Sequence, residues 1–170
     1  MSIFGGGPLK IIDLNFRSDP GTMRRMKADF PVAGTRYETW TPEETWAVAG
    51  HMATRLPERA VLALHGELGA GKTCFVQGLA QALGIRRPIT SPTFTLVQEY
   101  RALRRLVHID LYRIGSPDEL LHLGFEDYLH QDGVVAIEWA ERAGDLLPST
   151  TRHLYLAHDA ERGCHTIRVG

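Results

Sequence analysis

The chain of 170 residues is nearly devoid of lysine. Of its 19 basic residues only Lys10, Lys27 and Lys72 are lysines, and none follows residue 72. A guanine-reading N/T-K-x-D segment therefore cannot occur downstream, and GTP recognition by that route is excluded. Cysteine is equally scarce. Cys74 and Cys164 stand far apart, which excludes a disulfide framework and a C-x-x-C metal site. No apolar run approaches the roughly 18–20 residues that a membrane span requires. The opening "MSIFGGGPLKIIDLNF" is broken by glycines, Lys10 and Asp13, so it has no signal-peptide core. Charge of neither sign dominates: a net −1 gives no electrostatic case for a dedicated nucleic-acid binder. These absences together lead us to expect a cytoplasmic protein in a reducing compartment.

What is present is ordinary globular material, 44% hydrophobic and 23% charged, enough for one domain. Residues 1–35 differ from the rest. They hold "GGGP", "SDPGT" and "FPVAG" without sustained periodicity, apart from "LKIIDLNF", which has the pattern of an isolated strand. We expect a flexible extension there, with Met23 and Met26 as alternative starts, and one domain over residues 36–170.

That domain opens at "TWTPEETWAVAGHMATRL". Thr41 is an N-cap, Pro42 takes the first helical position and Glu44 completes a capping box; Trp46, Ala49, Ala53 and Leu56 mark a buried face. "AVLALHG" (60–66) has the continuous apolar pattern of a strand covered on both faces. A helix with Phe75, Val76, Leu79, Ala80 and Leu83 follows and ends at Gly84. "TFTLVQEYR" (93–101) and "LVHIDLYRI" (106–114) predict neighbouring strands. "SPDELLHLGFEDYL" predicts a helix capped by Ser116, "GVVAIEW" (133–139) another buried strand, and "RHLYLAHD" with "CHTIRV" a closing hairpin. The order describes an α/β domain with a central mixed sheet flanked by helices.

Between the first buried strand and its helix lies "GELGAGKT", residues 66–73, matching G-x-x-x-x-G-K-[ST] at every fixed position. Glycines allow backbone N–H groups to approach phosphate oxygens without an intervening Cβ, and the helix start adds its positive dipole end. Lys72 is positioned for the β- and γ-phosphates and Thr73 for Mg²⁺. Because the motif follows a strand and opens a helix, the sequence predicts a P-loop NTPase-type domain.

Such a site also needs a carboxylate at the end of a buried strand. Asp110 in "LVHIDLYR" and Glu138 in "VVAIEWAE" each end an apolar run, where an unpaired acid is costly to bury. Either could instead be a solvated strand-end acid. The hydroxyl-rich "TSPTFT" (90–95) lies where switch segments contact a γ-phosphate, so Thr93 or Thr95 is a candidate for the metal shell; it also fits an ordinary strand-entry turn.

Taken together, "GELGAGKT", "SPTFTLVQEY", "HIDLYR", "DELLHLGFEDYL" and "IEWAE" resemble the TsaE (formerly YjeE) family, from about Thr39 to the C-terminus. The resemblance implies a cytoplasmic ATPase of tRNA threonylcarbamoyladenosine (t6A) biosynthesis. It needs ATP and Mg²⁺, resets the TsaD–TsaB complex between rounds, and meets tRNA through that complex and not directly. By position it implies that Lys72 and the amides of Glu67, Leu68, Gly69, Ala70, Gly71, Thr73 and Cys74 hold the phosphates. Thr73 and Glu138 would ligate Mg²⁺, and Asp110 would support hydrolysis through metal-bound water. Trp139 would sit beside the metal-binding glutamate, and Thr45 would approach the nucleotide. Cys74 replaces a common threonine but keeps the backbone N–H that makes the phosphate contact, and Phe94 replaces a common tyrosine, losing one hydroxyl.

The principal alternative is a small-molecule P-loop kinase. A kinase closes an arginine-bearing lid over the transferred group, whereas Arg101, Arg104 and Arg105 fit a hairpin turn. A nucleotide-dependent binding module that hardly hydrolyses is the third reading. Arg86, Arg87, Arg101, Arg104 and Arg105 are candidates for a basic tRNA surface, or equally for a solvated arginine-rich face.

Overall fold

In a computed structural model, Ile11–Ile12 and residues 29–170 are described. The remainder of the expected N-terminal extension, with the alternative starts Met23 and Met26, lies outside the described residues. Ile11–Ile12 (β1) runs antiparallel to Arg36–Thr39 (β2), Ile11 opposite Tyr37. Phe30 is buried, and the Arg152 guanidinium lies 4.4 Å from its ring centroid.

The central strands are the continuous apolar runs. Arg59–His65 (β3) pairs in parallel with Gly133–Glu138 (β6), and β6 pairs in parallel with Leu106–Asp110 (β5). Val97–Tyr100 (β4) closes one edge antiparallel to β5. On the other side Arg152–Asp159 (β7) is parallel to β3, and Cys164–Val169 (β8) forms the closing hairpin with it. Among the described residues the sheet has eight strands in the order β1-β2-β8-β7-β3-β6-β5-β4. The mixed, helix-flanked sheet is the α/β architecture expected from the element order.

Because side chains alternate along a strand, each central strand feeds two cores. Leu62, Leu64, Val134 and Ala136 pack with the helices Pro42–Ala53 (α1) and Lys72–Ala82 (α2). Val61, Ala63, Val135 and Ile137 face the opposite layer, built by Pro117–His122 (α3), Phe125–Leu129 (α4) and the 3₁₀ segment Ala140–Leu146. The same parity places His108 and Asp110 with Leu106, and Glu138 with Ala136, on the α2 side. That alternation aims the strand-end acids at the helix that begins with Lys72.

Several local expectations are corrected. The buried stripe of α1 is Thr45, Val48, Ala49, Met52 and Ala53, while Trp46 is half-buried. Thr41 does cap α1, its Oγ1 accepting from the Glu44 N–H at 3.2 Å, but the Glu44 carboxylate accepts from Trp40 N–H, one residue before the cap. Ser116 has extended geometry yet makes no side-chain capping bond, and the helix it opens breaks into α3 and α4 at Gly124. The predicted strand over 93–101 shortens to β4. Leu96 adopts a left-handed conformation (φ 65°), and its N–H bonds back to the Pro92 carbonyl at 2.7 Å, making 91–96 a turn. The strand over 106–114 likewise ends at Asp110, where the carboxylate accepts Tyr112 N–H and turns the chain. At Tyr112 the Asp110 side chain took the backbone N–H that β-propensity alone would have given to a ladder, and at Leu96 the Pro92 carbonyl took it within the turn.

Candidate functional site

The loop 66–71 joins the end of β3 to α2. Gly66 has φ 140°, and a Cβ there would lie 2.1 Å from the Leu156 carbonyl oxygen, so the chain can pass beside β7 only without a side chain. Gly71 is left-handed at the helix start, with the His165 ring against it. The His165 Nδ1 lies 3.2 Å from the Ala70 carbonyl, a contact that anchors the loop to β8. Ala70 is buried, whereas Leu68 is 83% exposed at the tip.

Lys72 curls back over the loop it follows. Its Nζ donates to the carbonyls of Gly66 (2.5 Å) and Glu67 (2.9 Å) and stands 4.1 Å from the Trp139 ring centroid. Burial pushes its pKa down, opposed by the nearby Glu138, Glu141, Asp110 and Glu67 carboxylates. Thr73 is one residue further along α2, and its Oγ1 donates to Glu138 Oε1 at 2.8 Å. His108 Nε2, fully buried, lies 2.8 Å from that same oxygen and donates to it. Both donors fall on Oε1. Hydroxyl and carboxylate oxygens are the hard donors that Mg²⁺ takes, and this pair is preassembled at the helix start. The residues present therefore fit a divalent ion between Thr73 and Glu138.

Asp110 stands beside Glu138 in the β5–β6 register. Its Oδ2 accepts from Ser91 Oγ (2.7 Å) and Thr93 Oγ1 (2.5 Å), and its Oδ1 accepts from Tyr112 N–H (2.9 Å). Three donors hold this carboxylate in one orientation. Thr93 thus meets the acid, and Thr95 lies elsewhere, in a pocket with Leu96, Val97 and Leu120. Trp139 follows Glu138 in a left-handed conformation (φ 57°), its ring tilted against Tyr112 at 5.1 Å. Thr45 is buried in α1, bonded to Thr39 Oγ1 at 2.8 Å, and borders the Cys74 thiol, whose pKa burial raises. The Cys74 Sγ reaches the Pro42 carbonyl at 3.9 Å, tying α2 to the start of α1.

The structure thus brings Lys72, Thr73, Asp110, Glu138 and Trp139 together at the C-terminal ends of the parallel strands. Sequence reasoning missed His108 and Ser91. The signal for His108 was available: it shares the parity of Asp110 and is a polar residue inside a buried strand, two residues earlier.

A second histidine supports the loop from below. His65, the residue before Gly66, places Nδ1 3.2 Å from Glu141 Oε2 and Nε2 2.9 Å from His153 Nδ1, and it stacks on Tyr155. Burial lowers its pKa from the ordinary 6.5, partly offset by Glu141. The unfolded chain therefore takes up this proton first as pH falls. The stability contributed by neutral His65 is present above about 6.5 and lost below it. The urea midpoint of the wild type is expected to fall from pH 7.5 to 5.5 more steeply than that of His65→Gln; equal slopes would show that this ring does not govern acid stability.

A glycine loop between a buried parallel strand and a helix, with a strand-end carboxylate on the loop's threonine, defines the P-loop class of α/β domain. Within that class the family described as "Threonylcarbamoyl adenosine biosynthesis protein TsaE" matches residues 39–166. The chain is 41% identical over 138 residues to the Bacillus subtilis tRNA threonylcarbamoyladenosine biosynthesis protein TsaE, covering 79% of this chain and 86% of that one. It is 47% identical over 96 residues to the Treponema pallidum protein of the same description, covering 56% and 71%. The crystal structure of Bacillus subtilis YdiB superposes with a TM-score of 0.70 at 33% identity, covering 83% of this chain and 87% of that chain. The chain belongs to the TsaE family. No helix among the described residues is long and apolar enough to cross a membrane.

Proposed function

We propose that this protein is an Mg²⁺-dependent ATPase acting in threonylcarbamoyl modification of adenosine 37 in tRNA. The observation that carries the reading is the Thr73–Glu138 contact, which closes the loop helix onto the acid that a phosphate-bound cation needs. Lys72 and the amides of residues 67–74 would bind the phosphates, and Thr73 with Glu138 would hold Mg²⁺. The cation would supply charge neutralisation on the phosphate oxygens. Asp110, fixed by three donors, would orient the water side of the site.

The family assignment and the descriptions of its relatives support the t6A pathway, and on this reading the protein works in the cytoplasm on the TsaD–TsaB complex. Arg104 and Arg105, between β4 and β5, argue against a kinase lid. Arg104 donates to the carbonyls of Leu56, Pro57 and Glu58, and Arg105 pairs with Glu99 at 3.1 Å. Arg87 is bonded to the Glu99 carbonyl. These side chains are committed to packing the fold, which also weakens them as a direct tRNA surface.

Mg·ATP hydrolysis by the purified protein, alone and with TsaD–TsaB, tests the proposal. Slow turnover alone that rises several-fold with the complex is expected. Turnover indifferent to the complex would instead direct attention to a small-molecule phosphoryl acceptor.

A further inference from the structure

Resting on the ATPase reading, we infer that Arg113 is a catalytic arginine supplied by the chain itself, held off the γ-phosphate by the exposed ring of Phe94. Arg113 lies three residues after Asp110, in a turn with a well-anchored backbone. Leu111 N–H donates to the Glu138 carbonyl (3.0 Å), Tyr112 N–H to Asp110 Oδ1 (2.9 Å), and Ile114 N–H to the Leu111 carbonyl (2.9 Å). The side chain is not anchored in this way. Among the described residues no carboxylate or carbonyl accepts from its guanidinium, which rests 4.4 Å from the Phe94 ring centroid.

Phe94 is itself 85% exposed, with no share in either core. It follows Thr93, whose hydroxyl donates to Asp110 Oδ2. The arginine and the ring that holds it are thus both tethered to the same carboxylate, one along the chain and the other through a hydrogen bond. An exposed cation–π contact favours the stacked position by only about two- to fivefold in population. Release is therefore cheap, and a partner covering Phe94 would shift the balance completely.

Arg142 provides the contrast at the same rim. It donates to the Ile114 carbonyl at 2.5 Å and faces the Tyr112 and Trp139 rings, so it is fixed in place. Lys72 is held on the loop side of the site by two carbonyls. Arg113, by contrast, is held among the described residues only by the Phe94 ring.

In hydrolysis the water oxygen bonds to the γ-phosphorus as the bond from that phosphorus to the β–γ bridging oxygen breaks. The electron pair stays on the bridging oxygen of ADP, and the proton of the water passes to solvent. Charge spreads over the γ-oxygens and the bridging oxygen, where a planar guanidinium can donate two parallel N–H bonds. With Arg113 parked, turnover is slow; with it released, the transition state is stabilised.

The test compares wild type, Arg113→Ala, Arg113→Lys and Phe94→Ala, alone and with TsaD–TsaB. Turnover and affinity for Mg·ATP are measured, together with affinity for Mg·ADP with and without aluminium fluoride. Arg113→Ala is expected to lose about 10³-fold or more in kcat, keep its Mg·ATP affinity within about twofold, and lose the tightening caused by aluminium fluoride, a readout that a packing role would not move. Arg113→Lys should be nearly as poor, since an ammonium lacks the fork. Phe94→Ala should hydrolyse faster than wild type when alone. Arg113→Ala turning over at the wild-type rate overturns the assignment and leaves the ATPase reading standing, and an unchanged or slower Phe94→Ala overturns the parking. A wild type that binds Mg·ATP but hydrolyses none under either condition overturns the ATPase reading and this inference with it.

Discussion

Glu138→Gln is expected to lower Mg·ATP hydrolysis by about 10³-fold while leaving the fold intact. A carboxylate that helps hold the cation is worth several kcal/mol to phosphoryl transfer, and each ~1.4 kcal/mol is tenfold in rate. Glutamine preserves what the fold requires of this position. Its carbonyl oxygen can still accept from Thr73 Oγ1 and from the buried His108 Nε2, both of which donate to Oε1 of the glutamate. Alanine would not be a clean substitute. His108 is fully buried, and its Nδ1 already has no hydrogen-bond partner. Removing the acceptor from Nε2 as well would cost about 1–3 kcal/mol of stability. The measurement is turnover of Glu138→Gln beside its thermal midpoint. A variant with wild-type turnover would remove Glu138 from the metal site, and one with a lowered midpoint would show that the charge, and not only the hydrogen bonds, holds β6 to α2.

Gly78→Ala is expected to be the most damaging small substitution in the helical layer. Gly78 lies where α2 packs directly against the α1 backbone at Trp46. A Cβ there would stand 2.5 Å from the Trp46 Cα and 2.9 Å from both the Ala49 Cβ and the Trp46 carbonyl oxygen. In an unencumbered helix the same change would help by up to about 1 kcal/mol. Here backbone atoms meet the new methyl and cannot rotate away. Overpacking of this kind costs about 1–3 kcal/mol or more, and the clash outweighs the propensity. A net loss of about 2 kcal/mol would lower the melting temperature by about 4–8 °C for a domain of this size. Because Lys72 and Thr73 begin the same helix, displacement of α2 should weaken nucleotide binding as well. Gly50→Ala is the control: its Cβ would meet only the Ala82 Cβ, at an ordinary 3.7 Å, so it should stabilise the protein by about 0.5–1 kcal/mol. If both variants melt alike, the close approach of the helices is not what Gly78 provides.

Much of this molecule was legible in the chain because the relevant physics is local. The strand–loop–helix unit from Arg59 to Ala82 is contiguous, and its apolar run, glycine spacing and Lys-Thr pair need no distant partner to be recognised. The helix stop at Gly84 was equally local: Gly84 N–H bonds to the Gln81 carbonyl and Ile85 N–H to the Ala80 carbonyl, satisfying groups that every helix end leaves open. The closing hairpin and the buried strand β6 were read from period and turn residues alone.

Where the turns of 91–96 and 111–114 fall was less legible, because their backbone groups are taken within each turn, Leu96 N–H by the Pro92 carbonyl and Tyr112 N–H by the Asp110 carboxylate. Asp110 also gathers the Ser91 and Thr93 hydroxyls, so that one carboxylate joins the two turns. No apolar periodicity reports such a capture.

The chain by itself determined the residue types of the site: a lysine and threonine on a glycine loop, two acids at the ends of apolar runs, and a tryptophan beside one of them. Only the tertiary structure decided which of these touch. Asp110 stands beside Glu138 because β5 and β6 pair in one register, and a slip of one residue would have turned the two acids to opposite faces. That register also brought His108 under Glu138, and the turn after β5 left Arg113 on Phe94. Pairing between strands far apart in sequence is set by how the two cores fill on either side of the sheet, a condition that no single stretch of chain contains.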